Sequence, residues 1–113
     1  MPVLWTIRNE TLQALDRGNR DRFVRALLAD LKSEFPHEAE RLGERQFRIA
    51  VENGVAAAGE LKIEAEADVA EFLQLWMKSE QDVEGRWPWA EQILRNPSLT
   101  ARARLELIRQ MLA

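Results

Sequence analysis

The sequence predicts an all-α fold, a compact bundle of five or six helices with one long N-terminal helix. Three observations carry this. Alanine, leucine, glutamate and arginine dominate its 113 residues, tyrosine is absent, and no β-branched alternating run appears. Apolar residues recur at helical spacing in successive segments. Pro36, Gly43, Gly59, Pro88 and Pro97 fall between those segments, where helix boundaries belong. At this length the chain reads as a single helical domain, residues 1–113.

Thr6 is a suitable N-cap for the first helix. Its apolar face runs through Leu12, Leu15, Phe23, Leu27, Leu31 and Phe35. The 3.6-residue phase is kept across Arg17-Gly18-Asn19, which favours one helix over 7–35, with a break at Gly18-Asn19 as the alternative. Pro36 ends it, because proline disfavours helical geometry in the residue before it. A short turn of helix, Glu38 to Leu42, is expected next, closed by Gly43.

The following helix begins near Glu44 and shows Phe47, Ala50, Val51, Gly54 and Ala58 on one side. Ala50, Gly54 and Ala58, four residues apart, form a stripe almost without side-chain bulk, against which a second helix can approach closely. Gly59 fits the left-handed position after the helix. A linker, residues 60–64, leads to a helix over about 66–79, with Val69, Phe72, Leu73 and Trp76 facing inward and Met77 at the edge. Ser79 to Arg86 reads as a polar loop. Pro88 opens a short helix carrying Ile93 and Leu94 and ending before Pro97. Ser98 or Thr100 caps the last helix, on which Ala101, Leu105, Ile108 and Leu112 share a face.

Composition excludes several function classes. Without cysteine there are no disulfides and no thiolate metal ligands, and a reducing compartment suits the chain. Met1-Pro2-Val3-Leu4-Trp5 has neither the basic nor the long apolar region of a signal peptide. No apolar run approaches the roughly 20 residues needed to span a bilayer. A cytoplasmic protein without membrane contact is expected. The net charge is −3, so no basic nucleic-acid footprint is visible.

The charge is unevenly spread. Residues 1–59 carry nine basic and nine acidic side chains, 60–84 carry two against eight, and 85–113 carry five against two. The acidic middle and basic tail can attract each other within the fold, face a partner, or simply form solvated helix faces.

Catalytic equipment is scarce. The one histidine, His37, stands beside Pro36 at a helix boundary with no recognisable nucleophile setting, and His37-Glu38-Ala39-Glu40 lacks the spacing of a helical zinc site. Glu64, Glu66 and Asp68 cluster at a helix start, where carboxylates stabilise the terminus by roughly 0.3–1 kcal/mol each. They lack the glycine and ligand spacing of a calcium loop. The five glycines form no phosphate loop. No enzyme activity, cofactor or metal is expected.

The tryptophans remain. Trp76 belongs to a core face, and Trp5 precedes the first helix. Trp87 and Trp89 flank Pro88, where they can lie over the core or anchor a partner. Arg86 can stack on an indole face, an interaction worth about 0.5–1 kcal/mol when exposed. Tryptophan and arginine are both enriched at binding hot spots. The expected partner-binding residues are therefore Glu64, Glu66, Asp68 and Glu71 together with Arg86, Trp87 and Trp89.

One ordered skeleton covers residues 20–108: Phe23, Leu27, Leu31, Phe35-Pro36, Gly54-Val55, Ile63, Glu66, Asp68-Val69, Phe72-Leu73, Trp87-Pro88-Trp89-Ala90 and Ile93-Leu94. It is similar to that of a group of small bacterial helical proteins encoded near spike and toxin components of type VI secretion systems. The sequence departs from that group at Arg17-Gly18-Asn19, where its members read as uninterrupted helix. The resemblance implies a biological neighbourhood and brings no catalytic or binding residues with it. Together with the residues, it leads to the expectation of a non-enzymatic adaptor, chaperone or accessory protein for a secreted effector or spike. The alternative is an immunity protein that neutralises a cognate toxin, its acidic patch imitating an anionic substrate. A small enzyme or ligand binder with a helical pocket near Trp87 and His37 is a third class.

Overall fold

The computed structural model describes residues 17–113, with side chains from Asp21 onward. Trp5, Thr6, Leu12 and Leu15, and with them the first part of the expected helix 7–35, lie outside the described residues. Within the described residues there are six helices and no strand: α1 (Arg17–Glu34), α2 (Pro36–Glu60), α3 (Glu66–Lys78), α4 (Val83–Arg86), α5 (Pro88–Leu94) and α6 (Ala101–Leu112). The all-α bundle expected from the sequence is the fold.

Gly18 and Asn19 are both helical, inside the first turn of α1. The helix stops at Glu34, because Phe35 precedes a proline and takes φ −126°. Pro36 then occupies the first turn of α2, where its missing N–H is harmless. Residues 36–60 form one helical element interrupted at a single point, Gly43, with φ 83° and ψ 161°. Those dihedrals are open only to glycine, and a Cβ there would meet no atom within 4 Å. The expected break at Gly43 is thus a backbone requirement rather than a packing one.

The end of α2 differs from expectation. Gly59 remains helical, and the left-handed residue is Lys62, at φ 64°. The N–H of Ile63 bonds the carbonyl of Ala58 (2.9 Å) and that of Lys62 bonds the carbonyl of Gly59 (3.1 Å), the double closure of a Schellman turn. Ile63 and Ala58 are both buried, and the apolar contact typical of this turn fixes its register. Packing of Ile63 therefore outweighs the glycine preference that favours position 59. The end of α3 repeats the device with Glu80 (φ 58°): Gln81 N–H bonds Trp76 O at 2.7 Å and Glu80 N–H bonds Met77 O at 3.1 Å.

A second difference is α4. Ser79 to Arg86, expected as loop, contains one helical turn that buries Val83 and is capped by Asp82, whose Oδ1 accepts from Gly85 N–H at 3.0 Å. In α6 the cap is Thr100, accepting from Ala103 N–H at 3.1 Å. Ser98 instead donates its N–H to Asn96 Oδ1. Leu112, expected on the inner face, is exposed.

The core is built around α3, which packs on α1, α2 and α6. Phe47, Val51, Phe72, Leu73, Leu105 and Ile108 are sealed from water at its centre. Each large side chain so buried is worth about 1.5–3 kcal/mol relative to exposure. The small-residue stripe on α2 does what its spacing predicts. A Cβ on Gly54 would stand 2.5 Å from Leu73 Cδ1 and 2.7 Å from Trp76 Cδ1, so α3 rests directly on the α2 backbone there. The closeness lets Trp76 Nε1 donate to the carbonyl of Ala50 at 2.9 Å. No helix among the described residues is long and apolar enough to cross a membrane.

Candidate functional site

The residues expected to meet a partner fall into two groups, and the structure treats the acidic group unevenly. Glu64 and Glu66, at the entry to α3, are exposed, and neither forms an ion pair among the described residues. Asp68 and Glu71 lie further along α3, on the side that faces α6. Arg102 of α6 reaches both: Nη2 lies 3.1 Å from Asp68 Oδ1, and Nη1 donates to Glu71 Oε1 at 3.1 Å. Arg109, nearly two turns further on, brings Nη1 within 3.8 Å of Glu71 Oε2. The carboxylates keep 15% and 17% of their side-chain surface, whereas Arg102 keeps 50%. Of the three outcomes open to the split charge, attraction within the fold accounts for these two acids.

The second group is the Arg86-Trp87-Pro88-Trp89 edge between α4 and α5. Trp87 takes φ −127° and ψ 80°, outside the helical region that a following proline disfavours, and it ends one helix as it begins the next. Both indoles are half-buried and pack against the core from outside, their centroids 6.5 Å apart with the planes tilted by 36°. Arg86 is exposed and pairs with Glu80 at 3.3 Å. Arg41 of α2 lies in the same field: the hydrogen bond from Arg41 to Glu38, then the charge of Glu38, raise its pKa above the ordinary arginine value, and Glu80 adds to this. No hydrogen bond or ion pair joins Arg86 to Glu64 or Glu66, which sit at the opposite end of α3.

His37 is exposed in the first turn of α2. Among the described residues no group of three or more metal-ligating side chains is arranged to hold an ion.

Sequence reasoning missed Arg104. It is 8% exposed, the one basic side chain buried among the described residues. Its Nε donates to Leu99 O at 3.3 Å, and its Nη1 donates to Leu61 O at 2.8 Å and Leu94 O at 2.7 Å. Leu61 caps the C-terminal end of α2 and Leu94 ends α5. Carbonyls at helix C-termini carry partial negative charge and lack intrahelical donors, so a guanidinium there answers both needs at once. The signal was present: Arg104 falls between Ala101 and Ile108 at spacings of three and four, on the apolar stripe itself.

Two shallow cavities flank this junction and share Glu60, Leu61, Leu94 and Arg95 as walls. One, of about 190 Å³, is floored by Phe72 and Trp76 and rimmed by Asp82 and Glu84. The other, of about 230 Å³, opens beside Lys62, Asn96, Pro97 and Arg104. Arg95 is held between them by a two-pronged bond to Glu84, at 2.9 and 3.0 Å. That bond and Glu84's charge raise the Arg95 pKa above its ordinary value, with smaller help from Glu91 and Glu60. Compared with known proteins, the chain matches no family model, no curated protein and no solved structure.

Proposed function

We propose that this chain is a non-enzymatic protein-interaction factor whose partner contact is centred on Arg86, Trp87 and Trp89. The observation supporting this is the tryptophan pair: two indoles gripped by the core on one side yet accessible on the other, beside an exposed arginine. Such rigid aromatic surface loses little conformational freedom on binding, which is why tryptophan and arginine recur at hot spots. Glu64 and Glu66 supply a separate exposed acidic patch. Asp68 and Glu71 are left to α6.

The biological setting of the proposal rests on the sequence resemblance. It is that of a cytoplasmic adaptor, chaperone or accessory protein for a type VI secretion effector or spike. The test is co-purification of the tagged full chain with the proteins encoded beside it, alongside the double variant Trp87→Ala, Trp89→Ala. The expected result is recovery of a spike or effector protein with the parent chain and loss of it with the variant, while circular dichroism stays helical. Recovery of none of them by the parent chain overturns the reading. If the chain instead protects cells expressing the adjacent toxin, the immunity reading replaces it.

A further inference from the structure

Arg104 spends Nε and one terminal nitrogen, Nη1, on backbone carbonyls. Its other terminal nitrogen, Nη2, makes no hydrogen bond among the described residues. Nor is it sealed away: the buried side-chain polar atom without a partner among those residues is Glu71 Oε2. Nη2 therefore keeps some contact with solvent, and Arg104 is one of the residues that line the cavity of about 230 Å³ between the end of α2 and the α5–α6 connection.

A guanidinium carries five N–H donors and no acceptor, and its strongest hydrogen bonds are those made to ionised oxygens. Two neighbours extend the donor character of this cavity. Asn96 is half-buried and turns Oδ1 to Ser98 N–H at 2.9 Å, which leaves its amide nitrogen without an acceptor among the described residues. Lys62, held in the left-handed turn, adds a positive charge at the rim. Arg95 is already committed to Glu84. The opposing charges are Glu60 and the carbonyl ends of α2 and α5, of which Arg104 itself bonds Leu61 O and Leu94 O. A cavity of this size equals several waters at about 30 Å³ each, enough for one small polyatomic anion.

We propose that this cavity binds a small oxyanion, the carboxylate or phosphate group of a ligand, with Arg104 Nη2 and the Asn96 amide as donors and Lys62 as the supporting charge. The site is independent of the tryptophan edge and stands or falls apart from it.

The experiment is a titration of the ¹⁵N-labelled full chain with sodium phosphate and, separately, sodium acetate, against sodium chloride at matched ionic strength. Because Arg104 also holds the fold together, the discriminating variants are at the rim. Lys62→Gln removes a positive charge and Glu60→Gln a negative one. The expected result is saturable shifts of the Lys62, Asn96 and Arg104 amides. Affinity should fall about fivefold in Lys62→Gln and rise by about the same factor in Glu60→Gln, the size of one nearby charge in a partly screened site. Saturation by phosphate alone identifies a phosphoryl group as the ligand chemistry, and saturation by acetate alone identifies a carboxylate. Shifts no larger than those in chloride, or affinities indifferent to both variants, overturn the proposal.

Discussion

Arg102 and Arg104 stand two residues apart on α6 and do opposite things. Arg102 is half-exposed and bridges two carboxylates on α3. Arg104 is buried and bonds three carbonyls and no carboxylate. The formally stronger partners belong to the residue that contributes less. Water reaches the Arg102 end of the bridge, although its two carboxylates are mostly covered, and salt screens it, so its worth lies toward that of exposed pairs, about 0–1 kcal/mol. A buried donor whose removal strands carbonyls away from water costs about 1–3 kcal/mol for each group left unsatisfied. The seam between α6 and α3 is therefore adjustable, whereas the junction of α6 with the ends of α2 and α5 fixes the bundle.

Replacing Arg104 by methionine is the severest challenge to this contrast. The side chain keeps much of its volume but loses every donor, and the expected destabilisation is about 3 kcal/mol, read by urea unfolding. A loss no greater than that of Arg102→Met would break the comparison outright. Arg104→Lys sharpens it. The ammonium keeps the charge, but a single nitrogen cannot reproduce the fork that spans Leu61 and Leu94, so about half the loss, near 1.5 kcal/mol, should remain.

Lys62→Gly tests the backbone that presents Leu61 to Arg104. A side chain in the left-handed region costs about 1–2 kcal/mol, which glycine avoids at the cost of more conformational freedom in the unfolded chain, so glycine should stabilise the protein by about 1 kcal/mol. The gain should appear equally in an Arg104→Met background if turn and guanidinium act independently, and a double-mutant cycle decides.

How far the sequence reveals this follows from which forces leave a local trace. Ala50, Gly54 and Ala58 are legible because close helix approach demands small residues at a fixed period. Pro36, Pro88 and Thr100 are legible because each acts on its own backbone. Lys62 is hidden because its conformation is imposed by the contact of Ile63 with Ala58 across the turn, against local preference. One turn of helix at α4 is too short for periodicity, and its determinants are single residues, Val83 and Asp82. Arg104 is visible only as an anomaly in an apolar stripe, since the carbonyls it serves belong to residues 5 to 43 positions away. At the candidate site the uneven charge was plain in the sequence. Its resolution was not, because Asp68 and Arg102 meet only after α3 and α6 have packed.

The smallest effect is the most informative about function. Arg102→Met removes the bridge to Asp68 and Glu71, while Arg109 stays within 3.8 Å of Glu71. A loss of about 0.5 kcal/mol at low salt is expected, fading toward zero in 1 M sodium chloride, where the screening length is about 3 Å. The same variant leaves Asp68 without its partner and Glu71 with Arg109 alone, on the helix that begins at Glu66. If the acidic stretch of α3 were the partner's docking surface, the charge freed at Asp68 would strengthen binding to a basic partner. With the contact centred on Arg86, Trp87 and Trp89, partner recovery should instead be unchanged by Arg102→Met and abolished by the double tryptophan variant. Measuring both variants against one partner separates a latch within the fold from a surface that meets another protein.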